Sequence, residues 1–168
     1  MRRVIWMICG LAVMQLLAGC GDDDMDDLLG AAIAFDNTLG QMYCDCFWEE
    51  EGFSDRSECL SYATWDSDER SEIEQCAAEV AEDVVAERTQ GVDEYISCFS
   101  RAYDEGRSCM RSVDSGEMCS ASWEFEIEAC LDTTWDQLDD CEDEMWEDED
   151  TRAWIREWDE RMDSCVSL

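Results

Sequence analysis

The chain has 168 residues, with 45 aspartates and glutamates against 11 arginines, no lysine, histidine or proline, and a formal net charge of −34. That balance excludes sequence-independent binding of nucleic acid, which needs a cationic surface. Without histidine and lysine, a Ser-His-Asp triad, a histidine-ligated metal and a lysine Schiff base are excluded as well.

In chain order, Arg2 and Arg3 precede an apolar run over residues 4–17. The run is shorter than the roughly 20 residues a membrane-spanning helix needs, and it reads as the core of a secretory signal. It closes on Leu17-Ala18-Gly19-Cys20, which resembles the lipobox of bacterial lipoproteins. The resemblance implies cleavage before Cys20 and acylation of that cysteine. The organisation that follows is a signal peptide over 1–19, a lipidated tether over 20–24 and an acidic, cysteine-rich domain over 25–168. At roughly 0.8 kcal/mol per buried CH2, more than one acyl chain holds a protein stably on a bilayer. The expected partner of Cys20 is therefore lipid, and the expected location is the bacterial cell envelope, at the outer membrane.

Removing residues 1–19 leaves 149 residues in which nine arginines face all 45 acids, a net charge of −36. Charge of this size favours disorder, but seven remaining tryptophans, nine further aromatics and ten cysteines oppose it. Helical periodicity runs nearly throughout. Met25, Leu28, Ala32, Phe35, Leu39, Met42 and Cys46 form one apolar stripe, and Ile73, Cys76, Val80 and Val84 a second. Val92, Tyr95, Cys98, Ala102, Cys109 and Val113 form a third. Trp123, Ile127, Cys130, Thr134, Leu138, Cys141 and Met145 form a fourth, and Trp154, Trp158, Met162 and Cys165 a fifth. Turns fall at Gly52, Gly91 and Gly116, and capping boxes can be drawn from Asp66 to Glu69 and from Asp114 to Glu117. No alternating run is long enough for a strand. The expected fold is all-α: a disulfide-stapled bundle of five or six helices built from antiparallel hairpins.

The ten cysteines left after cleavage and acylation are an even set, which an oxidising compartment lets pair completely. Cys98, Cys109, Cys119 and Cys130 are separated by ten, nine and ten residues. Eleven helical positions turn close to three full turns, so each pair shares a face. The four are also symmetric about Asp114. A hairpin turning there joins Cys98 to Cys130 and Cys109 to Cys119. This pattern resembles the twin Cx9C helical hairpins of mitochondrial intermembrane-space proteins, with one residue more per arm. The likeness covers about 33 residues and implies a pairing pattern without a function. Cys46 and Cys59 flank the Gly52 turn and are expected to pair. Cys44 points about 200° from Cys46 and needs a different partner. Cys44 with Cys76 and Cys141 with Cys165 complete the expected set.

Chemistry-bearing readings are few. Cys44-Asp45-Cys46 has the form of a redox or Cu(I)-binding CxC, but full pairing makes both structural half-cystines. The acidic stretch over 139–150 lacks the D-x-D-x-D-G spacing of an EF-hand, and Asp66-Ser67-Asp68 starts such a loop only to fail at Arg70. A glycosidase's two carboxylates cannot be singled out among 45 acids. Tryptophans at helical spacing read as core, and an exposed subset amid carboxylates suits a cationic partner. The expectation is a non-enzymatic envelope module without cofactor, acting through an acidic surface on cationic envelope proteins. The alternatives are a weak Ca2+-responsive binder that takes divalent cations, and a thiol-active periplasmic factor using Cys44 and Cys46.

Overall fold

The computed structural model describes residues 23–84, 88–113, 118–145 and 148–166. Among these the fold is all-α, with helices α1 (Asp23–Phe47), α2 (Arg56–Ala63), α3 (Ser67–Asp83), α4 (Gln90–Ser112), α5 (Ala121–Met145) and α6 (Glu149–Val166). The helix α1 begins at Asp23, inside the segment read as a tether.

Side-chain oxygens start most of these helices by taking up amide hydrogens that lack intrahelical partners. Asp55 accepts from the Glu58 amide at the head of α2, and Thr89 accepts from Val92 at the head of α4. Asp66 and Glu69 form the expected capping box, with Asp66 accepting from the Glu69 amide and Glu69 from the Asp66 amide. The second box, Asp114 with Glu117, lies outside the described residues. There α5 is instead entered from Ser120, whose hydroxyl accepts from the Trp123 amide at 3.3 Å. The eight-residue α2 has no apolar stripe and is an addition to the expected elements. Its Asp55 cap and one buried cysteine, Cys59, define it.

The helix α1 is central and buries two faces. Leu28, Ala32 and Phe35 lie on the stripe that meets α4, where the Phe35 ring packs on Tyr103 with centroids 5.4 Å apart. Leu29, Ile33, Asp36, Gly40 and Cys44 recur every three or four residues on a second buried face, of which Asp36, Gly40 and Cys44 meet α2 and its exit. A Cβ on Gly40 would collide with the Ala63 carbonyl that ends α2, so only glycine lets the backbones come this close. Beyond α2 the backbone of Trp65 docks on α1: its amide donates to Asn37 at 2.6 Å, and the Asn37 amide donates back to the Trp65 carbonyl at 3.4 Å.

On the other side α4 packs against α1, α5 and α6. Gly106 sits where three helices converge, beside Phe35 of α1 and Thr134 of α5. The remaining core joins α3 to α6 through Ile73, Val80, Trp154, Ile155, Trp158 and Met162, all buried. Thr89 and the fully buried Thr151 tie the head of α4 to α6 through hydroxyls 2.7 Å apart.

Four bridges staple the described helices, and they differ from the expected pairs. Cys98 joins Cys141 and Cys109 joins Cys130, so neither Cys98–Cys130 nor Cys109–Cys119 forms. Both observed pairs run between α4 and α5 and are symmetric about residues 119 and 120, one eleven-residue step from the expected register. The turn is the reason. The helix α4 ends at Ser112 and α5 begins at Ala121, which leaves Cys119 outside both helices. Cys119 instead joins Cys46 at the end of α1, and Cys44 joins Cys59. The expected Cys46–Cys59 and Cys44–Cys76 pairs are thereby corrected, because Cys44, not Cys46, lies on the face toward α2. Cys141 is taken by Cys98, which overturns Cys141–Cys165; the Cys165 side chain lies outside the described residues. Cys76 is disulfide-bonded as well.

Candidate functional site

Each sequence-derived candidate has a definite place. Cys20 lies outside the described residues. Cys44 and Cys46 do serve different partners, and both are held in disulfides rather than paired as a redox CxC. The tryptophans read as core are core: Trp123, Trp154 and Trp158 are buried, and Trp135 meets Phe35 edge-on at 6.3 Å. Trp146 lies outside the described residues. Among the described residues no three cysteine, aspartate or glutamate side chains converge to hold a metal ion, and no helix is long and apolar enough to cross a membrane.

What remains is charge, and α5 concentrates it. This 25-residue helix carries ten acids and no arginine. Glu128, Asp132, Asp136, Asp139 and Asp143 follow one another at helical spacing and are all exposed. The inner face, Trp123, Ile127, Cys130, Thr134, Leu138 and Cys141, is buried. Like charges three or four positions apart destabilise a helix by a few tenths of a kcal/mol per pair. The Cys98–Cys141 and Cys109–Cys130 bridges oppose that tendency, each contributing roughly 3–4 kcal/mol in the chain-entropy model. The cost is visible at Glu142, whose carboxyl is held above the usual carboxylate range by burial and then by Asp139 and Asp143.

The other ends of the molecule use arginine locally. Arg56 pairs with Asp45 across the α1–α2 corner, Arg70 with Glu74 at 2.6 Å, and Arg107 with Asp104 at 2.6 Å. All are at the surface, where such pairs stabilise by about 0–1 kcal/mol. At the end of α1, Tyr43 packs on Phe47 with centroids 5.4 Å apart. Burial, then the hydrogen bond to Glu51 and the charges of Glu51 and Glu50, hold the Tyr43 phenol well above its ordinary value. Phe53 and Tyr62 form a second ring pair at 5.7 Å in the same acidic corner. A shallow groove of about 200 Å3 beside the Cys98–Cys141 bridge is lined by Cys98, Arg101, Ala102, Gln137, Asp140 and Cys141. It is small beside ordinary ligand pockets of roughly 300–1,000 Å3. Comparison of the chain with family models, curated proteins and solved structures gave no match.

Charge density along the chain singles out residues 139–150 as the densest acidic stretch. In the fold the charge extends further, as a ridge along most of α5, which sequence reasoning missed. The signal for it is in the fourth stripe: the residues of that stripe face inward, so the intervening acids must face out.

Proposed function

We propose that this protein is a lipid-anchored envelope module without enzymatic activity, presenting an anionic helix face to cationic segments of envelope proteins. The exposed, arginine-free carboxylate ridge of α5 carries the reading. A ridge that repels itself and is nonetheless stapled rigidly in position favours a cationic partner over a merely solvated surface, since a partner would relieve the repulsion.

The lipobox resemblance at Leu17-Ala18-Gly19-Cys20 supports acylation of Cys20 with fatty acyl chains such as palmitate, and with it a location at the outer membrane. With α1 starting at Asp23, the chain between allows Cys20 to stand at most about 10 Å from the start of the helix. The helix α1 is itself roughly 37 Å long at 1.5 Å per residue, so the Phe47 end stands far from the anchor in chain terms.

Two experiments test the two halves. Membrane fractionation of the expressed chain should find the wild type with membranes and Cys20→Ala in the soluble fraction; equal partition refutes the anchor. Binding of an oligo-arginine peptide to the mature domain should weaken steeply with NaCl and fall more for Asp132→Asn/Asp136→Asn/Asp139→Asn than for three neutralisations on α3 (Glu69→Gln/Glu72→Gln/Glu79→Gln). Equal losses would mean that net charge alone acts, and that the α5 face has no special role.

A further inference from the structure

We propose that the Cys46–Cys119 bridge is a thiol–disulfide exchange site that takes a dithiol reductant. The inference is independent of the acidic surface and rests on access, backbone conformation and topology.

Access separates the four described bridges. Cys44 and Cys59 are both fully buried, and Cys98–Cys141 and Cys109–Cys130 each keep one partner at 4% exposure. In Cys46–Cys119 neither residue is buried, and Cys119 is exposed. An attacking thiolate must reach a sulfur along the S–S axis, so exposure of Cys119 selects this bridge.

Backbone conformation points the same way. Cys119 is the one non-glycine residue with positive φ among the described residues, at 67°. The left-handed region is costly for a residue with a Cβ, and such strain persists where the surroundings enforce it. Cutting the bridge frees Cys119 to leave that region, which favours the open form.

Topology sets the consequence. Cys44–Cys59 lies within α1 and α2, and the other two bridges lie within α4 and α5. Cys46–Cys119 alone among the four joins the two hairpins, closing a separation of 73 residues. Its loss unties Cys119, just ahead of α5, from the end of α1 and leaves the other three described staples in place.

The exchange balances as follows. A thiolate of the reductant attacks the Cys119 sulfur, the Cys46–Cys119 bond breaks, and Cys46 leaves with the electron pair and takes a proton from water. The reductant's second thiolate attacks its own sulfur in the mixed disulfide, Cys119 leaves and is protonated, and the reductant departs as a disulfide. Two electrons pass to the protein.

Timed alkylation of the mature protein under limiting dithiothreitol, read peptide by peptide, tests this. Cys46 and Cys119 should label together, at least tenfold ahead of Cys44, Cys59, Cys76, Cys98, Cys109, Cys130 and Cys141, with helical circular dichroism retained. First labelling at any other bridge, or collapse of all bridges at once, overturns the proposal. Trapping with the monothiol cysteamine should place the adduct on Cys119; an adduct on Cys46 would overturn the assigned direction of attack. The Cys46→Ser/Cys119→Ser variant should lack the fast phase, and its persistence would overturn the proposal.

Discussion

Replacing Gly106 with alanine tests the central three-helix junction. A methyl group there would strike the Thr134 hydroxyl of α5, lie 2.8 Å from the Phe35 ring of α1 and 3.0 Å from the Thr134 methyl. Both neighbours are buried, Phe35 at 1% and Thr134 at 1% exposure, so neither can swing into solvent. Overpacking of this kind costs about 1–3 kcal/mol, and three simultaneous close contacts from two residues place this site in the upper part of that range. Alanine regains roughly 1 kcal/mol over glycine in a helix interior, leaving a net loss of about 1–2 kcal/mol. For a domain of this size that is a fall in Tm of about 3–6 °C. Gly30 is the control, because a methyl there meets only the Arg70 guanidinium, at 3.8 Å. Gly30→Ala should be neutral or stabilising by up to about 1 kcal/mol. Thermal melts followed at 222 nm read both. Adding Thr134→Ala to Gly106→Ala removes the two closest Thr134 contacts and should recover part of the loss through a favourable coupling. If Gly106→Ala melts at or above the wild type, or if Thr134→Ala merely adds its own cost, α4 and α5 do not approach as described.

Other expectations follow from single interactions. Asn37→Ala strips the Trp65 amide and carbonyl of their partner on α1, and chemical denaturation should show a loss of about 1–2 kcal/mol. Asp66→Ala removes the side-chain half of the α3 capping box and should cost about 1 kcal/mol by the same assay. Glu142→Gln should raise the melting temperature at pH 7. Burial, Asp139 and Asp143 raise the Glu142 pKa in the folded chain, so the folded state holds its proton more tightly than the unfolded state. The stability linked to that proton is present below the ordinary glutamate value and is lost as pH rises through the folded pKa. The advantage of glutamine should therefore vanish when melts are repeated below the ordinary glutamate value.

Helix type and approximate position are readable because apolar residues recur at helical spacing, and the Asp66–Glu69 box marks one start correctly. The second face of α1 is not readable in the same way. The apolar stripe ending at Cys46 is a single line, while Leu29, Ile33, Asp36, Gly40 and Cys44 form another. A central helix buries two faces, so the amphipathic pattern of a surface helix underestimates it. The residues of that second face include an aspartate and a glycine, which carry no hydrophobic signal. Taken together, the two stripes send Cys44 toward α2 and Cys46 toward the α4–α5 hairpin.

The α4–α5 register is ambiguous for a related reason. Cys98, Cys109, Cys119, Cys130 and Cys141 form a ladder of nearly equal steps, and a hairpin can slip along it by one step while keeping every pair on one face. The capping pattern at Asp114 and Glu117 favours the shorter register, whereas α5 starts from Ser120, which has no glutamate or glutamine three residues on. A better signal lies in the stripes themselves. Cys98 and Cys109 share the third, Cys130 and Cys141 share the fourth, and Cys119 belongs to neither. The acidic ridge is legible from the fourth stripe, whose inward residues leave the intervening acids outside, whereas charge density along the chain does not reveal which face it occupies.

Disulfide mapping of the non-reduced mature protein bears most directly on the account, because the bridges fix which helix faces which. Peptides linking Cys44 to Cys59, Cys46 to Cys119, Cys98 to Cys141 and Cys109 to Cys130 are expected. Recovery of Cys98 with Cys130 and Cys109 with Cys119 would shift α5 by eleven residues along α4, move Gly106 away from Thr134 and contradict the fold described.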